Sequence, residues 1–190
     1  MTQKTKQRCC WCGEDPIYVK YHDFEWGRPL HDDKALFEML ILEGFQAGLS
    51  WITILKKREN FRKAFAGFNA KKIAKFTSKD VARLMKDAGI IRNKLKIEAA
   101  IKNARGFLEI QKEFGSFDRY IWQFTNYKTL RIPKMTRDKI RATSPESDAL
   151  SKDLKKRGFN FVGSTICYAH MQATGMIDDC LLYTSDAADE

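Results

Sequence analysis

The chain reads as a succession of helical faces. Asp32 or Asp33 can cap a helix whose apolar positions Leu36, Phe37, Leu40 and Ile41 recur at helical spacing. A small-residue turn is expected at Gly44, Phe45, Gln46, Ala47 and Gly48. Ser50 then caps a helix carrying Trp51, Ile54, Leu55, Phe61 and Phe65. Asn69 starts a short helix running to Phe76. Thr77 and Asp80 fit a capping box ahead of Val81, Leu84 and Met85, in a helix stopped at Gly89. A long helix follows, with Ile97, Ile101, Ala104 and Leu108 on one face and Gly115 at its end. Ser116 caps the next, which turns Phe117, Tyr120, Ile121 and Phe124 inward. Ser144 and Pro145 open a helix with Leu150 and Leu154 that ends at Gly158, and a last helix spans about residues 164–174.

No segment sustains a two-residue alternation, so the fold class is all-α. Three stretches carry no helical pattern. Residues 1–8 read as a disordered lead and residues 9–30 as an irregular, aromatic-rich loop. Residues 126–143 read as a basic surface loop. No internal repeat or low-complexity tract is present.

Composition narrows the class. At 190 residues, with 44% hydrophobic and 12% aromatic content, the chain can build one domain or two small lobes around a real core. Its apolar runs fall far short of the ~20 residues of a membrane span, and the basic start has no apolar stretch behind it to make a secretory signal. A cytoplasmic protein with no membrane partner and a monomeric state is expected. The formal net charge of +10 points to a polyanionic partner, most simply nucleic acid, although solubility alone would also account for it.

Three constellations could carry chemistry. The first is Glu43 with Trp11, Tyr21, Trp26 and Trp51. Flat rings stack on a planar base, and a carboxylate accepts from an exocyclic amine and favours a cation. Core packing would use the same residues. The second is the segment Gly89, Ile90, Ile91, Arg92 and Lys94 between two helices. It is shaped like a helix–hairpin–helix, whose backbone N–H groups face a DNA phosphate. It has one glycine where the commoner hairpin has two, and an ordinary helix pair looks the same. The third is Cys9, Cys10 and Cys12 with His22, thiolates and an imidazole of the kind zinc selects. Five cysteines in a cytosolic chain do not make a disulfide framework. His31 and His170 have no evident partner and read as structural.

Read in order, Cys-Cys-Trp, DPIYVKYHDFEWG, LEGFQAGLSWITILKKRENF, DAGIIRNKLKI and SDALSKDLKKRGFNFVGSTICYAHMQA resemble the bacterial 3-methyladenine DNA glycosylase I family, over residues 9–179. The resemblance implies a helix–hairpin–helix glycosylase fold, as one domain over residues 1–179 with two helical lobes around a base pocket. It implies excision of 3-methyladenine from double-stranded DNA by hydrolysis of the N-glycosidic bond, without strand cleavage. Glu43 falls on the family's base-recognition carboxylate and Tyr21 and Trp51 on its stacking positions, with Trp11 and Trp26 nearby. The hairpin falls on Gly89, Ile90, Ile91, Arg92 and Lys94.

The resemblance also implies a structural zinc ion stapling the chain ends, with Cys9 and His22 as its N-terminal ligands. Cys180 stands where the family has a His and is a third candidate zinc ligand, since a thiolate replaces an imidazole well. Thr184 stands where the family has a Cys, so a complete four-ligand site is not expected in this chain. Residues 180–190, CLLYTSDAADE, look like translated adapter sequence, a non-native tail. Removing the acids of its last ten residues, Asp186, Asp189 and Glu190, would take the net charge from +10 to +13. The competing reading is a hairpin module that binds DNA phosphates without base chemistry, or a truncated inactive homologue.

Overall fold

The structure is a computed structural model that describes residues 8–132 and 141–179. Among these the chain is helical, in the order α1 Pro16–Phe24, α2 Asp33–Gln46, α3 Trp51–Ala64, α4 Ala70–Ile73, α5 Ser78–Lys86, α6 Lys94–Phe114, α7 Phe117–Trp122, α8 Pro145–Lys156 and α9 Ser164–Ala173. Short 3-10 turns occur at Cys10–Cys12, Ala66–Phe68 and Gln123–Thr125. No helix among the described residues is long and apolar enough to cross a membrane.

Local chemistry sets most helix starts. The side chains of Asp32, Asn69, Asn93, Ser116 and Ser144 each accept a backbone N–H of the first turn that follows. Thr77 and Asp80 form the expected capping box. Ser50 stands at the N-cap of α3, but its hydroxyl pairs with that of Thr53 at 2.7 Å instead of capping a backbone group.

Three expectations need correction. The segment 9–30 is not a loop throughout, because α1 runs through it. Asp15 accepts from the Ile17 N–H at 3.0 Å and Pro16 fills the first helical position, where its missing N–H costs nothing. The turn expected from Gly44 starts only after Gln46. Gly44 stays helical and buried inside α2, where even a Cβ would meet Phe161 only at an ordinary contact of 3.5 Å, and Phe45 is buried in the core. The basic segment after 126 is not wholly irregular either. Leu130–Arg131 (β1) pairs in parallel with Ile177–Asp178 (β2), in the register Leu130 to Ile177. Residues 133–140 of that segment lie outside the described residues.

α2 is the axis of the fold. It packs on α3, α6, α7 and α9, and residues 36–45 are all buried. A helix apolar on every side belongs inside a protein. Two carboxylates, Glu38 and Glu43, are carried into the core with it. Apolar side chains from Tyr21 to Ile177 make one continuous core around this helix.

Candidate active site

The two buried carboxylates of α2 lie in opposite environments. Glu38 is paired. Its Oε1 accepts from Arg58 Nε at 2.6 Å and from Arg62 Nη2 at 2.7 Å. Burial alone would raise the Glu38 carboxyl, but the hydrogen bonds and charges of Arg62 and Arg58 prevail and hold it below the usual range. Glu43 meets no arginine partner among the described residues. Burial pushes its carboxyl up, opposed only by His170. A buried carboxyl without a cation of its own is the commoner sign of a functional site, and an ion-paired one of a strut.

Glu43 opens into a cavity of about 270 Å³ that is also lined by Trp11, Tyr21, Trp26 and Trp51. The structure therefore brings together all five residues of the first constellation. Tyr21 comes from α1 and Trp51 from the first turn of α3, with ring centroids 5.6 Å apart at 56°. Both are buried, as is Glu43, which is 2% exposed. Trp11 lies in the 3-10 turn at Cys10–Cys12, is 36% exposed, and meets Trp26 edge-on at 5.1 Å. The cavity thus has a closed floor with a carboxylate and an aromatic rim. The indole N–H of Trp51 is buried without an acceptor among the described residues. Burial, with the Glu43 charge second, drives the Tyr21 phenol well up, so it stays protonated.

Tyr18, Gln46, Gln172 and Arg141 also line the cavity. Gln46 lies one helical turn beyond Glu43, where the i, i+3 spacing could have singled it out. Nothing in the local pattern marks Gln172 or Arg141, which arrive through tertiary packing. The largest omission is His170. It is fully buried, and its Nδ1 lies 2.7 Å from Glu43 Oε2. Its reading as a residue without a partner is corrected, as is that of His31, whose Nδ1 lies 2.7 Å from Asp118.

The hairpin joins α5 to α6. Gly89 N–H donates to the Asp87 side chain at 2.8 Å, and Ile90 N–H lies 3.4 Å from the Asp87 carbonyl. The Ile90 side chain is buried in the core. A Cβ on Gly89 would sit 2.9 Å from Asp87 Oδ1 and 3.1 Å from Asn60, so only glycine fits without a shift. Those two N–H groups are therefore used within the protein. The N–H groups of Ile91 and Arg92 have no acceptor among the described residues and precede the N-terminus of α6, with Arg92 and Lys94 exposed beside them. This is the geometry of an anion seat at a helix start, centred two residues later than Gly89.

For a metal, the structure brings the Cys9 backbone against the His22 ring. Cys9 N–H lies 3.3 Å from His22 Nε2, while His22 Nδ1 lies 2.9 Å from Asp23 Oδ1. A carboxylate on Nδ1 leaves Nε2 as the ligating nitrogen, the usual arrangement behind a zinc-bound imidazole. Two donors do not make a tetrahedral site. Among the described residues no group of three or more His, Cys, Asp or Glu side chains is placed to hold a metal ion. Cys180 and Thr184 lie outside the described residues.

A family model described as methyladenine glycosylase matches residues 11–185. DNA-3-methyladenine glycosylase 1 of Escherichia coli (strain K12) is 51% identical over 91% of this chain and 92% of its own length. A crystal structure of 3-methyladenine DNA glycosylase I superposes with a TM-score of 0.88 at 51% identity, covering 91% of this chain and 95% of the other. A single-residue variant of 3-methyladenine DNA glycosylase I, solved in complex with 3-methyladenine, superposes with a TM-score of 0.90 at 37% identity over 96% and 97% of the two chains.

Proposed function

The chain belongs to the methyladenine glycosylase family, and from that premise we propose that it hydrolyses the N-glycosidic bond of 3-methyladenine in alkylated DNA, as a DNA repair glycosylase. The observation that carries the reading is a buried carboxylate without an arginine partner at the floor of an aromatic cavity about the size of one base.

The chemistry follows from the substrate. N3-methylation leaves the base cationic while it is attached to deoxyribose. Cleavage of the C1′–N9 bond returns its electron pair to the ring, and the base departs neutral. A water oxygen bonds to C1′ and its proton goes to solvent. The leaving group needs no general acid, so the protein's task is to bind the flipped cation and strain it toward departure. Tyr21 and Trp51 would stack on the ring, and Glu43 would accept from the exocyclic amine and stabilise the positive charge. The reading also accounts for the buried Trp51 N–H, a donor that a bound base or water can satisfy.

No lysine is among the described residues lining the cavity, and Arg141 cannot form a Schiff base. This supports a monofunctional enzyme that leaves an abasic site with the strand intact. The hairpin N–H groups of Ile91 and Arg92, with Arg92 and Lys94, would hold the duplex by a phosphate. Cys9 and His22 would supply two donors of a structural zinc whose other donors come from beyond the described residues. Its chemistry would be only to tie down the arm that carries Trp11.

The test is release of free 3-methyladenine from methylated duplex DNA, resolved by chromatography, followed by alkali treatment of the same DNA. Base release with strand breaks appearing only after alkali is the expected result. DNA binding without base release would instead favour the phosphate-binding module.

A further inference from the structure

Glu43 has one hydrogen-bond partner among the described residues, Nδ1 of His170 at 2.7 Å from Oε2. His170 is carried by α9, 127 residues away in sequence, and is 0% exposed. It does not line the cavity, whereas Glu43 and its α9 neighbours Ala169, Gln172 and Ala173 do. The imidazole therefore stands behind the carboxylate and does not touch a bound base.

Its protonation decides what the cavity contains. Nδ1 must carry a hydrogen to bond the carboxylate. Nε2 is buried and has no partner among the described residues. Were Nε2 protonated as well, the ring would be a cation with a buried N–H lacking an acceptor, the costliest kind of unsatisfied group. The neutral ring with hydrogen on Nδ1 leaves only a lone pair unused. The pair then carries one net negative charge, not zero. A carboxylate–imidazole pair with a net charge of minus one favours a cationic base over neutral adenine at the cavity floor, and a neutralised pair would not.

We propose that His170, held as the neutral Nδ1–H form, is the positioning residue for Glu43: it donates to Oε2, fixes the carboxylate plane, and leaves Oε1 and the full negative charge for the cationic base. This rests on the glycosylase reading and adds to it the device that sets the charge of the Glu43–His170 pair. Burial pushes the Glu43 carboxyl up, and His170 opposes it by charge when protonated and by its hydrogen bond; the neutral ring keeps the hydrogen bond alone, and its loss should raise the carboxyl further. The other groups facing Glu43 do not compete. Tyr21 of α1 is driven well up, Cys167 of α9 is pushed up to about 12 by burial and then by the Glu43 charge, and both stay protonated. Trp51 of α3 does not titrate, and the Arg141 guanidinium lines the same cavity.

The experiment has two arms on the full chain. Long-range proton–nitrogen NMR of the wild-type imidazole at neutral pH should find hydrogen on Nδ1 and none on Nε2 of His170. Single-turnover release of 3-methyladenine should fall about ten- to a hundred-fold in His170→Phe, which keeps the bulk and removes the donor. The acid limb of its pH profile should move up. His170→Asn, whose Nδ2–H can reach the same oxygen, should recover most of the loss. An imidazolium or an Nε2–H ring overturns the proposal. So does a folded His170→Phe protein with wild-type release and an unmoved acid limb. If His170→Phe fails to fold, the spectrum and the His170→Asn protein decide. A wild-type protein that releases no base would sink the glycosylase reading instead, while the spectrum would still settle the charge of the pair.

Discussion

Replacing Glu43 by Gln should move activity and stability in opposite directions. The amide keeps the shape of the side chain, and its oxygen can still accept from His170 Nδ1, now at 2.7 Å from Oε2. What is lost is the charge. A carboxylate about 4 Å from a cationic ring, at an effective dielectric of about 20, is worth roughly 4 kcal/mol. Desolvation of both partners takes back part of that, leaving about 2–3 kcal/mol. The release rate for 3-methyladenine should therefore fall about 30- to 200-fold under single-turnover conditions. Stability should rise. Burial lifts the folded-state carboxyl above its unfolded value. Between those two values the native state holds more protons than the unfolded state, so stability falls as pH rises through the window, and at neutral pH the ionised carboxylate is a burden on the fold. Glutamine removes it. Urea unfolding at neutral pH should show a higher midpoint for Glu43→Gln than for the parent, with the advantage fading in acid as the parent carboxyl protonates. A variant that loses release and stability together would mean that Glu43 is a structural partner of His170, and one that keeps full release would remove the carboxylate from the mechanism.

Other perturbations separate struts from site. Glu38→Ala strips Arg58 and Arg62 of their shared acceptor and should lower stability by about 2–4 kcal/mol, read from urea midpoints at fixed slope. Because Glu38 is held below the usual carboxylate range, its contribution is full above the unfolded pKa of about 4.3 and is lost as pH falls through the lower folded value, so parent and variant should converge in strong acid. Lys96→Met leaves the carbonyls of Phe45 and Ala47, now 2.8 and 2.5 Å from the ammonium, without their donor. It should cost about 1–3 kcal/mol by thermal unfolding and slow base release at saturating DNA. Arg92→Ala should weaken binding to any duplex alike and reduce the slope of log affinity against log salt by about 1, with single-turnover release of the bound substrate unchanged.

How much of this was legible in the chain depends on the range of the interaction. Caps are local: Asp32, Asn69, Ser116, Ser144 and the Thr77–Asp80 pair satisfy N–H groups within three residues, and the helices begin where these side chains stand. α1 shows no clean apolar stripe, because Tyr21 is its one buried residue while Ile17 and Phe24 are exposed, although Asp15 and Pro16 are a start signal in themselves. Gly44 misled because glycine is a turn residue only when it takes a positive φ or opens the chain to solvent. Here the positive φ belongs to Gly48, at +79°, while Gly44 is a buried helical residue of α2. The pairing of Leu130 with Ile177 and of His170 with Glu43 joins residues 47 and 127 positions apart, and no local pattern encodes either. The aromatic members of the cavity could be picked out because indoles and phenols in a glycine- and proline-punctuated segment need a reason to be there. Arg141 and Gln172 carry no such mark.

The end of α2 shows how one buried helix can hold two carboxylates for different ends. Glu38 and Glu43 are five residues apart, so they face different neighbours. α3 presents Arg58 and Arg62 to the first, and these cations are further committed to Glu25 and Glu59. They are therefore not available to neutralise the second. α9 presents to Glu43 an imidazole instead, a donor that need not bring a charge. Just beyond, the carbonyls that α2 leaves unpaired at Phe45 and Ala47 are closed by Lys96, from the first turn of α6 and a few residues past the hairpin. The ammonium is spent on backbone oxygens, where it steadies the C-terminal end of the helix dipole. Arg58, Arg62 and Lys96 are thus tied to acceptors other than Glu43, and the hairpin and the base pocket are braced by the same lysine. A pocket that must prefer a cationic base needs a carboxylate kept both ordered and uncompensated. Packing positive charge on the outer turns of α2 and a neutral donor on the inner one achieves both without moving part of the protein on binding.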